Sequence, residues 1–411
     1  MGDLAYSAFS RISQLAAQSR VHAAFRWFHL HERKVMQWQR DLVAIAAPPF
    51  GEEPRARWLA DRFRELNLEQ VRIDAEGNVL GWLGGDPMGL TPCVVLSAHI
   101  DTVFPKDPPI EPVLDEHRLK APGACDNGAG VAALLALAAA IGSSGVAVPG
   151  RLLFVGNVGE EGEGDLRGIR HLYQTLPWGR HIAANVVVDG AGSGVVVTHG
   201  LGSRRYEGTI FGPGGHSWTD AGAPNPVVAL SRAILALTEI PLPTTPRTTL
   251  NVGSIEGGTS VNSIPEKATA RFDFRSLEAE HLVRLEVGLH RAMEDAVLAA
   301  NKLAQNQHNG GRPRGRLRFE IKQIGNRPAG RLAKDAPILE LLRAVDRHLG
   351  LHTEERVAST DANVPLSLGV PALGIGAGGE GGGIHTRSEW YDSTGRELAL
   401  KRILLLLLAL F

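Results

Sequence analysis

The spacing of apolar residues changes character several times along the chain, and each change predicts a different element. Val35, Trp38, Leu42 and Ile45 recur at helical intervals, so the opening segment reads as helices with one buried face. A further helix is predicted over Glu53 to Leu66, then a strand at Val71 to Asp74, a Gly77-Asn78 turn and a strand at Val79 to Leu83. From Cys93 the apolar runs become continuous, as expected of parallel strands covered on both faces. Such strands are predicted at Cys93 to Ser97, Leu152 to Val158, Asn185 to Val188 and Ala372 to Ile375. Helices fall between and around them at Val131 to Ile141, Ile169 to Thr175 and Ile338 to Leu349. The apolar run Ile403 to Phe411 reads as a terminal helix docked on the core, because it is much shorter than the ~20 residues that span a bilayer.

The segment from Ser203 to Asn326 has another rhythm. Strands are predicted at Arg205 to Phe211, Thr249 to Ile255, Ala268 to Arg275 and Leu317 to Ile324, with helices at Pro226 to Glu239 and Glu278 to Asn301. That β-α-β-β-α-β order is ferredoxin-like. Asn306 to Arg316, rich in Gly, Arg and Asn, reads as a solvated loop. The expected fold is therefore α/β: a mixed, mostly parallel sheet with helices on both faces, carrying an inserted ferredoxin-like α+β domain. The expected boundaries are 1–202 and 327–411 for the catalytic domain and 203–326 for the insertion. The sheet edge or helix face of the insertion offers a dimer surface.

Composition narrows the partners. The chain has 411 residues, too many for one compact core. With 43 basic and 44 acidic residues its net charge is -1, which argues against nucleic-acid or anionic-membrane partners. Cys93 and Cys125 are the two cysteines, too few for a disulfide framework; Cys125 reads as a small buried thiol, and a reducing, cytoplasmic setting is expected. Gly376 to Gly381 matches the dinucleotide fingerprint by letter, but no helical pattern follows it. His29 and His31 lie two apart in a helical segment and so face apart.

Metal-competent side chains collect where the predicted parallel strands end. His99 and Asp101 follow the first, Glu160 and Glu161 the second, and Asp189 the third. Asp126 lies in the loop after the first strand, and His385 in the glycine-rich loop after the last. Ligand sites in open α/β sheets lie beyond the carboxyl ends of strands, so five segments point at one place. Histidine nitrogen with carboxylate oxygen suits zinc and its first-row neighbours rather than calcium. Two dications held by His99, Asp126, Glu161, Asp189 and His385 would set four positive charges against three negative, and a bridging hydroxide would complete neutrality. Asp101 has the spacing to orient the imidazole of His99. Glu160 and Glu161 point in different directions, so one can bind metal while the other acts as general base.

These stretches, SAHIDTVFP, GACDNGAG, GEEGEGD, VVVDG, GPGGHS, GGTSVNSIP, STDAN and GIHTRSEW, occur in order over nearly the whole chain. The sequence thereby resembles the co-catalytic zinc exopeptidases of metallopeptidase family twenty. That family includes glutamate carboxypeptidase, peptidase T, carnosinase, acetylornithine and succinyl-diaminopimelate deacetylases, and aminoacylase. The resemblance implies two zinc ions, with cobalt or manganese as substitutes. His99 and Asp189 would bind one ion, Glu161 and His385 the other, and Asp126 both. It further implies that Asp101 orients His99, that Glu160 is the general base, and that the Asp126–Asn127 peptide is cis. His216 would reach a neighbouring subunit's site to steady the developing oxyanion, while Asn262 and Arg275 hold the substrate. The implied activity is cleavage of short peptides by a homodimer joined through the inserted domain. The alternative is a deacylase or carbamoyl-amide hydrolase acting on N-acyl amino acids.

Overall fold

A computed structural model describes residues 2–85, 93–175, 182–306 and 315–411. The chain forms two compact units, Met1–Gly200 with Gly330–Phe411, and Leu201–Ala329. The first is built on a nine-stranded sheet. Its centre is parallel: Arg151–Asn157, Cys93–His99, Ile182–Val188 and Ala372–Ile375 lie side by side in that order. Antiparallel strands flank this centre, Val79–Leu83 and Glu69–Ile73 on one side and Val195–Gly200 on the other.

Cys93–His99 and Arg151–Asn157 are buried at every position, as their unbroken apolar runs require. The pleat divides them between two cores. Val94, Leu96 and Ala98 join the core under helix Gly128–Ser144, whereas Cys93 and Val95 pack with Ile169 and Leu172 of helix Arg167–Thr175. Helix Gly128–Ser144 is enclosed by the sheet and by helices Ser19–Leu30 and Glu32–Val43, which accounts for its apolar circumference. Helix Arg396–Ala409 takes up most of the apolar C-terminal run and packs against Pro337–Leu349.

Several elements depart from the apolar spacing. Ile45 lies beyond the end of helix Glu32–Val43 and is half-buried, whereas Val35, Trp38 and Leu42 are buried as expected. The helix expected from Val131 begins at Gly128, because the Asn127 side chain caps it by accepting the Gly130 N–H. Val113–Asp115 and Arg118–Lys120, in a stretch that reads as loop, pair with each other; Arg118–Lys120 also pairs with Trp390–Asp392, and that strand with Glu380–Gly382, in a small antiparallel sheet. The second partner of Arg118–Lys120, Trp390–Asp392, lies far away in sequence, so no local pattern marks this sheet. No helix follows the glycine run from Gly376; Gly378 bridges to Gly192 instead.

The second unit is a four-stranded antiparallel sheet in the order Thr248–Gly257, Lys267–Ser276, Gly202–Phe211, Arg318–Arg327. Helices Pro226–Thr238 and Ala279–Asn306 complete the β-α-β-β-α-β order, and alternate residues such as Phe272 and Phe274 face its own core with Leu289 and Met293. Most of the predicted solvated loop, 307–314, lies outside the described residues.

Candidate metal centre

Each expected ligand stands where a strand or glycine-rich loop delivers it. His99 closes its strand, Asp189 directly follows Ile182–Val188, and Glu160 and Glu161 follow Gly159, whose positive φ turns the chain after Arg151–Asn157. Donor atoms of His99, Asp126 and Asp189 lie within 4.8 Å of one another; so do those of Asp126, Glu161 and His385, and those of His99, Glu160 and Glu161. Asp126 joins the first two groups. Its Oδ1 is 3.1 Å from His99 Nε2, and its Oδ2 is 3.1 Å from His385 Nε2. His385 Nε2 is also 3.0 Å from Glu161 Oε1, and His99 Nε2 is 3.7 Å from Asp189 Oδ1.

The electrostatics are those of a site that wants cations. Burial opposes charge on His99, yet Asp101, Asp126 and Asp189 together hold its pKa well above the ordinary value. The hydrogen bond to Asp126 pushes His385 up to about 9. Burial raises Glu161, with His99 pulling against it and Asp126 reinforcing it. Asp126 Oδ1 is buried and, despite its closeness to His99, makes no aligned hydrogen bond. That oxygen is left without a proton donor among donor atoms that crowd one space. That convergence, with imidazole and carboxylate donors in two overlapping triads, fits a pair of zinc-like ions.

Neighbouring groups hold the donors in place. Asp101, fully buried, accepts the backbone N–H groups of Glu160 (3.0 Å) and Glu161 (2.8 Å), so one carboxylate fixes both glutamates. Its Oδ1 also lies 3.5 Å from His99 Nδ1. The Asp126–Asn127 peptide is cis. Asn127 donates to the Val188 carbonyl (2.9 Å) and accepts the Gly190 N–H (3.2 Å), tying the Asp126 loop to the Asp189 turn.

Three supporting residues carry no assignment from sequence pattern. Glu389 is buried and accepts three backbone N–H groups, from Gly123 (2.9 Å), Cys125 (2.8 Å) and Asp126 (2.8 Å). Its signal was a lone acid between His385 and Trp390. Arg55, wholly buried with its pKa lowered to about 10 by burial, donates to the carbonyls of Ile45 (2.9 Å) and Ile100 (2.8 Å) beside His99. Asp361, in the STDAN stretch, accepts from Asn157 Nδ2 (2.7 Å), and burial pushes it up to about 7 against the pull of His99.

The remaining three expected site residues belong to the second unit. His216 and Asn262 come together where the short strands Gly215–His216 and Ser263–Ile264 pair antiparallel, and the Ser217 N–H donates to the Asn262 carbonyl (2.9 Å). His216 is exposed. Arg275 is not beside them. It lies near the far end of strand Lys267–Ser276, its Nε donating to Asp273 (2.7 Å). Cys93 and Cys125 are free and buried.

A mainly parallel α/β sheet ending in paired histidine–carboxylate triads, with a further glutamate alongside, is the architecture of a metal-binding hydrolase. The family model for peptidase family M20/M25/M40 matches residues 95–409, and the chain belongs to that family of hydrolases. An uncharacterized protein of Bacillus subtilis, YqjE, is 23% identical over 375 residues, covering 88% of this chain and 94% of its own length. The fold is similar to that of the aminopeptidase PepT from Bacillus cereus, with a TM-score of 0.71, 20% identity and coverage of 92% of this chain and 98% of that one. It is also similar to that of the Bacillus subtilis YXEP protein, described as a dinuclear metal-binding peptidase of the M20 family, with a TM-score of 0.61, 17% identity and coverage of 92% and 98%. Among the described residues no helix is long and apolar enough to cross a membrane.

Proposed function

We propose that this protein is a cytoplasmic exopeptidase that hydrolyses short peptides with two zinc ions, His99 and Asp189 holding one, Glu161 and His385 the other, and Asp126 both. The observation that carries the reading is that the two oxygens of Asp126 address two different histidines, each backed by a further carboxylate. Bound there, the ions would polarise the scissile carbonyl and acidify a water.

The chain's own groups do the rest. Asp101 sets the tautomer and direction of His99 and pins the Glu160–Glu161 backbone, so an oxygen of each glutamate stands close to His99, Glu161 to hold metal and Glu160 to act on the water. Glu160, 6% exposed, takes the proton of the attacking water and returns it to the leaving amine. In this reading His216 is contributed by a neighbouring subunit to meet charge on the carbonyl oxygen, Asn262 and Arg275 hold the substrate, and the inserted unit forms the dimer.

Glu160→Gln keeps the shape of the side chain and removes its basicity. Metal content should stay at the wild-type level while turnover of short peptides falls ~10²- to 10⁴-fold. Full activity of the Gln variant would remove Glu160 from this role. Unchanged turnover after metal depletion would end the hydrolase mechanism altogether. A panel of dipeptides, tripeptides and N-acyl or N-carbamoyl amino acids separates peptidase from deacylase.

A further inference from the structure

A cavity of about 340 Å³ opens beside the metal centre within the first unit, with Asp126 and Asp189 in its wall. Apart from Thr360, the rest of its lining is glycine and aliphatic, with Val195, Val197, Ala358, Ile375 and Ile384 supplying the side chains and Gly194 at the wall. Val195 and Val197 are alternate, half-buried residues of one strand, so the pleat turns both side chains the same way. Among the described residues, no lysine, arginine or histidine lines the cavity. Its floor is built before any substrate arrives. The Asp189 N–H donates to the Ile375 carbonyl, the Ala377 N–H to Gly190, and Gly192 and Gly378 exchange both of their N–H bonds, zipping the two loops together.

We propose that this cavity is the pocket for the side chain next to the scissile carbonyl, and that it selects aliphatic or aromatic groups and rejects acidic ones. The inference rests on the proposed hydrolase reading. The carbonyl undergoing attack lies at the metal ligands, so the substituent one bond away falls beside Asp126 and Asp189, where the cavity begins. A volume near the lower end of the ~300–1,000 Å³ usual for ligand sites suits one side chain rather than a longer peptide. Beyond the ions that Asp126 and Asp189 would hold, an acidic group would be desolvated among aliphatic side chains, with no lysine, arginine or histidine among the described lining residues to pair with.

Gly194 gives a clean test. Its φ is not left-handed, and a Cβ added there would meet nothing within 4 Å. Gly194→Leu would therefore add a side chain at the cavity wall without backbone strain. The zinc-loaded protein is assayed with X-Gly and Gly-X dipeptides in which X is Ala, Leu, Phe or Glu. For the wild type, kcat/KM in the X-Gly series should favour Leu and Phe over Glu. The Leu-Gly to Ala-Gly ratio should fall ~10-fold or more in Gly194→Leu, the size of effect one or two methylenes produce in an apolar pocket. Val195→Arg should raise Glu-Gly relative to Leu-Gly. Zinc content and melting temperature are read for both variants, and calorimetric binding of free leucine is measured alongside.

An unchanged Leu-to-Ala ratio in folded, zinc-loaded Gly194→Leu overturns the pocket while leaving the hydrolase standing. So does selectivity confined to the Gly-X series. If no substrate is cleaved, leucine binding decides: binding that Gly194→Leu abolishes retains the pocket and rejects the peptidase, and binding that it leaves intact overturns the pocket.

Discussion

Replacing Glu389 with Gln tests how far the metal centre depends on a side chain that binds no metal. The carboxylate accepts Cys125 and Asp126 N–H on Oε1 and Gly123 N–H on Oε2, at 2.8, 2.8 and 2.9 Å. Gln can keep its amide oxygen toward Cys125 and Asp126. Its NH₂ group then faces the Gly123 N–H, donor against donor, in a place that water does not reach. Losing one charge-assisted bond costs ~1.5–3 kcal/mol, and the two that survive weaken as their acceptor turns neutral. A total of about 2–4 kcal/mol is expected, a large share of the ~5–15 kcal/mol typical of a folded protein. Because one of the donors is the backbone of Asp126, the ligand shared by both triads, zinc affinity should drop ~10- to 100-fold as well. Thermal unfolding of the metal-free variant measures the first effect, and zinc titration against a competing chelator the second. Exposed Glu380→Gln serves as the control. A variant that melts early but binds zinc like the wild type would refute the claim that Glu389 positions Asp126.

Other expectations concern packing, protonation and thiol access. At Gly130 an added Cβ would sit 2.2 Å from Asn127 Oδ1 and 2.5 Å from the Val188 carbonyl, so Gly130→Ala should destabilise by ~1–3 kcal/mol and weaken zinc binding. Gly142→Ala in the same helix, with open space around it, should stabilise by up to ~1 kcal/mol; equal effects in melting experiments would refute the packing argument. In metal-free protein the folded pKa of His385 is raised to about 9 from 6.5. Its contribution to stability is therefore complete below pH 6.5 and lost as pH rises through about 9, whereas zinc affinity should climb over the same window as the proton leaves. Melting temperatures of chelated protein that rise between those limits would contradict this sign. Burial pushes the Cys93 thiol up to about 11 and that of Cys125 to about 12, so neither should react with a thiol reagent at pH 8 until denaturant exposes the two per chain. Rapid labelling of the folded protein would count against it.

Much of the architecture was legible in one dimension because its causes are local. A strand covered on both faces must be apolar throughout, and Cys93 to Ser97 and Leu152 to Val158 say so directly. The class of metal donors, and their location beyond strand ends, follow from residue type and from where parallel sheets bind ligands. The stretches GACDNGAG and GEEGEGD carry the family resemblance of those donors in the sequence itself. Convergence is another matter. That Asp126 divides its oxygens between His99 and His385, residues far apart along the chain, depends on strand order and on the turns that follow each strand. Glu389, Arg55 and Asn127 earn their places by hydrogen-bonding backbone groups of distant loops, and an isolated acid, arginine or asparagine carries no mark of which amide it will meet. The same holds for Arg118–Lys120, whose second partner Trp390–Asp392 comes from far along the chain, and for the cavity, whose walls come from five separate stretches of it. Periodicity and side-chain chemistry act over a few residues and are written in the sequence; pairing, register and enclosure arise between segments, so only the folded chain decides them.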